Sequence, residues 1–150
     1  MAWEFKDGIP IYRQLVRRLE ISIAAGEYQS GEKMPSVRDL AMEAGVNPNT
    51  MQRALAELEA GGLLHSERTA GRFITWDEDI LTKLRRDLAA GYVEDLFRNL
   101  GRLGMSTAEI FDTVRRWAEQ TEAKAEALAS SAEAGRRPEV ETADAERSGK

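Results

Sequence analysis

Apolar residues recur at helical spacing in several stretches of the chain, and turn-forming residues separate them. Ile11, Leu15, Leu19 and Ile23, flanked by Tyr12 and Val16, make one wide apolar face. They predict a first helix with Pro10 at its start, where a missing N–H costs nothing, and Gly26 at its end. Ahead of it, Trp3-Glu4-Phe5 reads as a short extended arm with both aromatics on one side. Between Pro35 and Leu64 the pattern predicts two short helices and a tight turn. Val37, Leu40 and Ala41 follow Ser36, whose hydroxyl can satisfy a free N–H at the helix start. Gly45 suits the left-handed residue that often ends a helix. Asn47 caps the next helix, and Met51, Ala54, Leu55 and Leu58 form its buried stripe. After Gly62, Leu63–Ser66 and Arg72–Trp76 read as two short strands. Arg68, Thr69, Ala70 and Gly71 form the turn of this hairpin, or wing.

A second region follows. Leu81, Leu84, Leu88, Tyr92, Leu96, Leu100 and Leu103 recur every three or four residues. They predict one long amphipathic helix with Asp77, Glu78 and Asp79 in its first turn, where acids complement the helix dipole. Gly101 and Gly104 mark its end. Ser106 and Glu109 have capping-box spacing. Ile110, Val114, Trp117 and Thr121 carry the apolar line along a last helix that fades through alanines near Leu128. Residues 131–150 hold one large apolar residue, Val140, too little to offset the entropy of ordering, so they are expected to form a disordered tail.

The expected fold is therefore mainly α. A winged helix-turn-helix of three helices and a hairpin (1–76) precedes a two-helix segment (77–130) and the tail (131–150). Two helices with apolar faces this wide call for a partner. A second copy gives an isologous dimer through Leu81, Leu84, Leu88, Tyr92, Leu96, Leu100, Ile110, Val114 and Trp117. The alternative is that the pair packs on its own winged helix.

The polar side of the second short helix carries the candidate chemistry. At about 100° per residue, Asn49 and Arg53 oppose the buried stripe, with Thr50 and Gln52 on the flanks. Arginine suits guanine O6 and N7, asparagine or glutamine suits adenine N6 and N7, and a threonine methyl suits thymine. These residues lie toward the helix N-terminus, the end that reaches bases in a major groove. The acids Glu57 and Glu59 come later and do not share a face.

The sequence resembles the GntR-type winged-helix transcription regulators, and within them the short YtrA-like branch. The resemblance rests on Ile9-Pro10-Ile11-Tyr12-Arg13-Gln14-Leu15, on Gly26, on Gly31 through Ala41, on Gly45 through Ala54, and on Gly62-Leu63-Leu64. It implies that Arg38, Asn47, Asn49 and Thr50 lie at DNA, that the wing tip enters the minor groove, and that the last two helices dimerise. It also implies control of transport operons and leaves no place for the larger effector domains of other branches. The full set expected at DNA is Ser36, Arg38, Asn47, Pro48, Asn49, Thr50, Gln52 and Arg53, with Arg68, Thr69 and Arg72 on the wing. Family wings commonly carry Gly-x-Gly, and Thr69 stands in place of the first glycine. The partners implied are a double-stranded operator and a second copy of the chain, in a bacterial repressor.

Charge complicates this reading. The net charge is −5, whereas a DNA-binding domain is more often basic. Residues 1–76 hold nine Lys/Arg against ten Asp/Glu, and residues 77–150 hold twelve against sixteen. DNA binding must then rest on the placement of Arg38, Arg53, Arg68 and Arg72. The acidic balance keeps open a second reading, a winged-helix module that binds protein. The chain has no cysteine, so no disulfide framework or thiolate zinc site is expected. No apolar run approaches a membrane span and the N-terminus lacks a signal peptide's pattern, which points to the cytoplasm. One histidine, His65, and no nucleophile–base or phosphate-loop pattern leave no enzyme reading, no metal site and no cofactor. A small-molecule effector could sit near Tyr92, Phe97 and Trp117, although these aromatics equally suit an interface core.

Overall fold

The computed structural model describes residues 2–134. In chain order the elements are α1 (Ile11–Ala24), α2 (Val37–Ala44), α3 (Pro48–Ala60), β1 (Leu64–Glu67), β2 (Gly71–Ile74), α4 (Glu78–Arg102), α5 (Thr107–Gln120) and α6 (Glu122–Ala134). The caps form as the sequence predicts. The Ser36 hydroxyl accepts from the Asp39 N–H at 3.1 Å, and the Asn47 carboxamide accepts from the Asn49 N–H at 2.8 Å. Gly45 ends α2 at φ 71°. Ser106 and Glu109 form the reciprocal capping box of α5.

The core sits among α1, α2, α3 and the hairpin. Leu15, Leu19, Leu40, Met51, Leu55, Leu58, Leu64 and Ile74 are fully buried in it. The N-terminal arm closes one side. Trp3 and Phe5 pack on the core, and the Trp3 N–H donates to the Ala44 carbonyl. The hairpin pairs Leu64 with Ile74 and Glu67 with Gly71, antiparallel. Its outer edge is also partnered, since the loop before α2 runs along β2. The Met34 N–H donates to Arg72 O, and the Ile74 N–H donates to Glu32 O, both at 2.8 Å. An unpaired strand edge is thereby covered, and the wing is tied to the helical body.

Trp76 joins the wing to α4. Its ring lies directly on Gly31, where an added Cβ would come within 2.1 Å of it. Gly31 also has φ 74°, so glycine is needed there for backbone conformation and for space.

Two features of the second region depart from expectation. The last helix is divided at Thr121 into α5 and α6, giving three helices where two were expected. The Thr121 backbone leaves helical geometry, with φ −126° and ψ 27°, while its N–H and its hydroxyl both bond back to the Trp117 carbonyl. The expected interface set is also split by the chain's own packing. Leu81 belongs to the core cluster with Leu84 packed against it, and Leu88 and Ile110 are buried as well. The first half of α4 thus covers α1, and α5 folds back on α4 through Ile110. Tyr92, Val93, Leu96, Phe111, Val114 and Trp117 remain exposed. Residues 131–134 are the end of α6, and the rest of the expected tail lies outside the described residues.

Candidate nucleic-acid interface

α3 buries Met51, Ala54, Leu55 and Leu58 and leaves Asn49, Gln52 and Arg53 exposed, with Thr50 half-buried. Helical period alone dictates this division. The N-terminus of α3 carries Asn47 and Pro48, both exposed. Pro48 occupies a first-turn position where its missing N–H goes unneeded.

A cleft of about 740 Å³ runs between this helix pair and the wing. Lys33, Ser36, Gln52, Thr69 and Arg72 contribute to its lining. Arg38 is exposed in the first turn of α2, and Arg68 is exposed at the hairpin tip. Neither guanidinium makes an ion pair among the described residues. Thr69 keeps a negative φ, because only glycines among the described residues have a positive one. The turn closes through the Thr69 and Ala70 N–H groups, which both donate to the Glu67 carbonyl.

Two arginines sit differently from the sequence expectation. Arg72 turns inward, with its Nε 3.5 Å from Glu59 Oε2 and its side chain only 17% exposed. Glu59 also accepts from the Ser66 N–H at 3.1 Å. Ser66, through its hydroxyl first, then Arg72, hold the Glu59 carboxyl below its ordinary pKa against the opposing effect of burial. One carboxylate near the end of α3 therefore braces both strands of the wing. Arg53 lies over Tyr12 of α1, its Cζ 3.7 Å from the ring centroid. The adjacent Arg13 donates from Nε to the Tyr12 hydroxyl at 3.2 Å. That hydrogen bond, with a smaller contribution from Glu57, raises the Arg13 pKa further, so its charge is permanent.

Sequence reasoning missed both partners, Glu59 and Tyr12. Glu59 and Arg72 are thirteen residues apart and no periodicity connects them. A half-buried tyrosine in the first turn of α1 has the period of a core residue, and nothing local marks it as a platform for an arginine of α3. His65 stacks on Phe73 across the hairpin, with centroids 5.8 Å apart, so it packs within the wing.

A recognition helix with a polar outer face, a supporting helix before it and a braced hairpin after it define a winged helix-turn-helix. The sequence profile of bacterial regulatory proteins of the gntR family matches residues 11–74. The chain is 30% identical over 116 residues to YhcF, an uncharacterized HTH-type transcriptional regulator of Bacillus subtilis (strain 168), covering 77% of this chain and 96% of that one. It is 36% identical over 70 residues to the HTH-type transcriptional repressor YtrA of the same organism, covering 54% of that protein. Among solved structures, a GntR family transcriptional regulator from Listeria monocytogenes superposes with a TM-score of 0.69 at 36% identity, over 75% of this chain and 98% of that one. The chain belongs to the gntR family of bacterial regulatory proteins, and its helix-turn-helix is that of a transcription regulator. Among the described residues, no helix is long and apolar enough to cross a membrane.

Proposed function

We propose that the protein is a homodimeric repressor of the YtrA-like branch that binds a (pseudo)palindromic operator. The observation that carries this reading is the two-sidedness of α3. One face is buried, and the other leaves Asn49 and Gln52 exposed with Thr50 half-buried, Gln52 lining the open cleft toward the wing. In this reading the N-terminus of α3 enters the major groove, and those three residues meet base edges. Ser36 and Asn47 hold the two helix starts, Pro48 stiffens the second, and Arg38 contacts phosphate or a guanine. Arg68 meets the backbone at the wing tip. Thr69 keeps the turn off the groove floor, since it lacks the close approach that glycine permits. Arg72 supports the wing through Glu59.

The exposed Tyr92, Leu96, Val114 and Trp117, with the half-buried Leu100, support the dimer. Apolar residues that the chain leaves uncovered on adjacent helices suit an isologous contact with a second copy. Two winged helices held this way would address half-sites about one helical turn, roughly 34 Å, apart.

Footprinting on the DNA upstream of the protein's own gene tests the whole reading. Two protected half-sites of opposite orientation are expected, with binding that weakens as salt rises. The net charge of −5 favours the second reading, a protein-binding module. Absence of any protected site, together with equal affinity for all duplexes, would favour that module.

A further inference from the structure

We infer that Arg53 and Arg13, arranged on Tyr12, form a seat for a DNA backbone phosphate at the rim of the major groove. This deepens the proposed DNA binding and rests on it. It replaces the base-reading role expected for Arg53 and gives α1 a DNA contact of its own.

Three observations carry it. The first is position along the helix. Arg53 stands one turn beyond Asn49 on the same face of α3, about 6 Å further along the axis. A helix that enters a groove by its N-terminus brings Asn49 to the bases and leaves the next turn near the rim. The major groove is about 8.5 Å deep, and phosphates line its edges. The second is direction. The Arg53 guanidinium is laid over the Tyr12 ring, 3.7 Å from its centroid, and so is drawn toward α1. A guanidinium whose central carbon sits over a ring spends few of its five N–H donors on it, and the others match a phosphate. The third is convergence. Arg13 is 6.0 Å from the same ring centroid and hydrogen-bonded to the same hydroxyl. Neither arginine makes an ion pair among the described residues. Two cations are thus gathered on one ring, and Glu57 of α3 acts on Arg13 without an ion pair to it, so both guanidinium groups keep donors for an added anion. A guanine edge accepts one arginine, whereas a phosphate accepts donors from both.

The test uses the full chain, its footprinted operator and a scrambled duplex of equal length, titrated across a salt series. The variants are Arg53→Ala, Arg13→Ala, Arg53→Lys, Tyr12→Phe and Tyr12→Leu, each checked for folding by its helical circular dichroism. Both arginines are exposed, so their removal leaves the core intact. Arg53→Ala and Arg13→Ala are each expected to weaken binding to operator and scrambled DNA by the same factor, about tenfold near 0.1 M salt, and to lower the salt slope by about one. Arg53→Lys keeps the charge and should keep the slope. Tyr12→Phe keeps the ring and should retain the Arg53 contribution, while Tyr12→Leu should lose part of both. Loss of operator preference in Arg53→Ala, with scrambled binding unchanged, would make Arg53 a base reader and overturn the phosphate seat while leaving DNA recognition standing. Unchanged binding in both alanine variants would overturn it as well. A parent protein that binds neither duplex would instead refute the proposed function itself.

Discussion

The winged helix and the helices that follow it solve the burial problem in different ways. Between Leu15 and Ile74 almost every large aliphatic residue at a periodic position is buried against another part of the same region. Among the described residues beyond Asp77 only Leu81, Leu88 and Ile110 are buried, while Tyr92 is 54% exposed and Trp117 50% exposed. The first region is complete as a single chain. The second turns a few of its apolar residues inward onto α1 and α4 and leaves more of them, Tyr92, Leu96, Phe111, Val114 and Trp117 among them, turned outward. Periodicity specifies which face of a helix is apolar. It does not specify what covers that face, and here the cover changes partway along α4.

The largest effect expected from breaking this asymmetry lies in the outward part. Leu96→Asp or Trp117→Asp places a charge on the exposed strip without touching the winged-helix core. In the proposed dimer each should yield a monomer by sedimentation. Operator affinity should fall by about 10²–10⁴-fold, as two half-sites cease to be held together. Leu88→Asp is a poorer test, because Leu88 is buried within the chain and its loss would disturb α4 itself. A parent protein that sediments as a monomer at micromolar concentration would end the dimer proposal.

The matching change in the complete region is Leu55→Ala. Leu55 is 1% exposed in the centre of α3, and truncation there should cost about 2–5 kcal/mol from lost burial and the cavity left behind. Thermal unfolding should report it as a large drop in melting temperature, whatever the oligomeric state. A drop of only a degree or two would mean that the core repacks around the site.

A smaller effect is expected at the start of α3. Asn47→Ala removes the oxygen that accepts the Asn49 N–H at 2.8 Å and should cost about 1 kcal/mol. Asn47→Asp keeps an acceptor and should retain most of the stability. In the DNA-binding reading the added negative charge should still weaken operator binding. Denaturant midpoints paired with gel shifts separate the two contributions.

What was legible in the sequence follows from the range of each interaction. Ser36, Gly45, Asn47 and Ser106 act within three or four residues of themselves, and their caps could be read directly. The stripes of α1, α2 and α3 repeat at helical period, so their buried faces were plain. The candidate face of α3 followed from the same period, as its complement. The orientation of Arg72 depends on Glu59, and that of Arg53 depends on Tyr12 forty-one positions earlier. Such contacts come from how α1, α3 and the wing pack, and no local pattern encodes them. The division at Thr121 had no local mark: the apolar line runs through that residue, and the same hydroxyl-to-carbonyl bond at Thr113 leaves α5 unbroken.

The smallest expected effect concerns the contact through which the complete region holds its wing. Ser66 and Arg72 depress the Glu59 pKa from an ordinary value of 4.5. A carboxyl whose pKa is lower folded than unfolded adds stability above its unfolded value, and that increment is lost as pH falls through the folded value. The brace is therefore intact at neutral pH and weakens only below about pH 4.5. Glu59 is partly exposed, so solvent screening limits the contribution to a few tenths of a kcal/mol. Glu59→Gln should lower the neutral-pH melting temperature slightly and narrow its difference from the parent in acid. A sharper readout is the Ser66 amide, whose N–H donates to Glu59. In the parent its NMR shift should titrate with a midpoint below 4.5, and in Glu59→Gln that titration should vanish. A midpoint at or above 4.5 would mean that Glu59 does not hold the wing, and Arg72 would then be free to join Arg68 at the DNA.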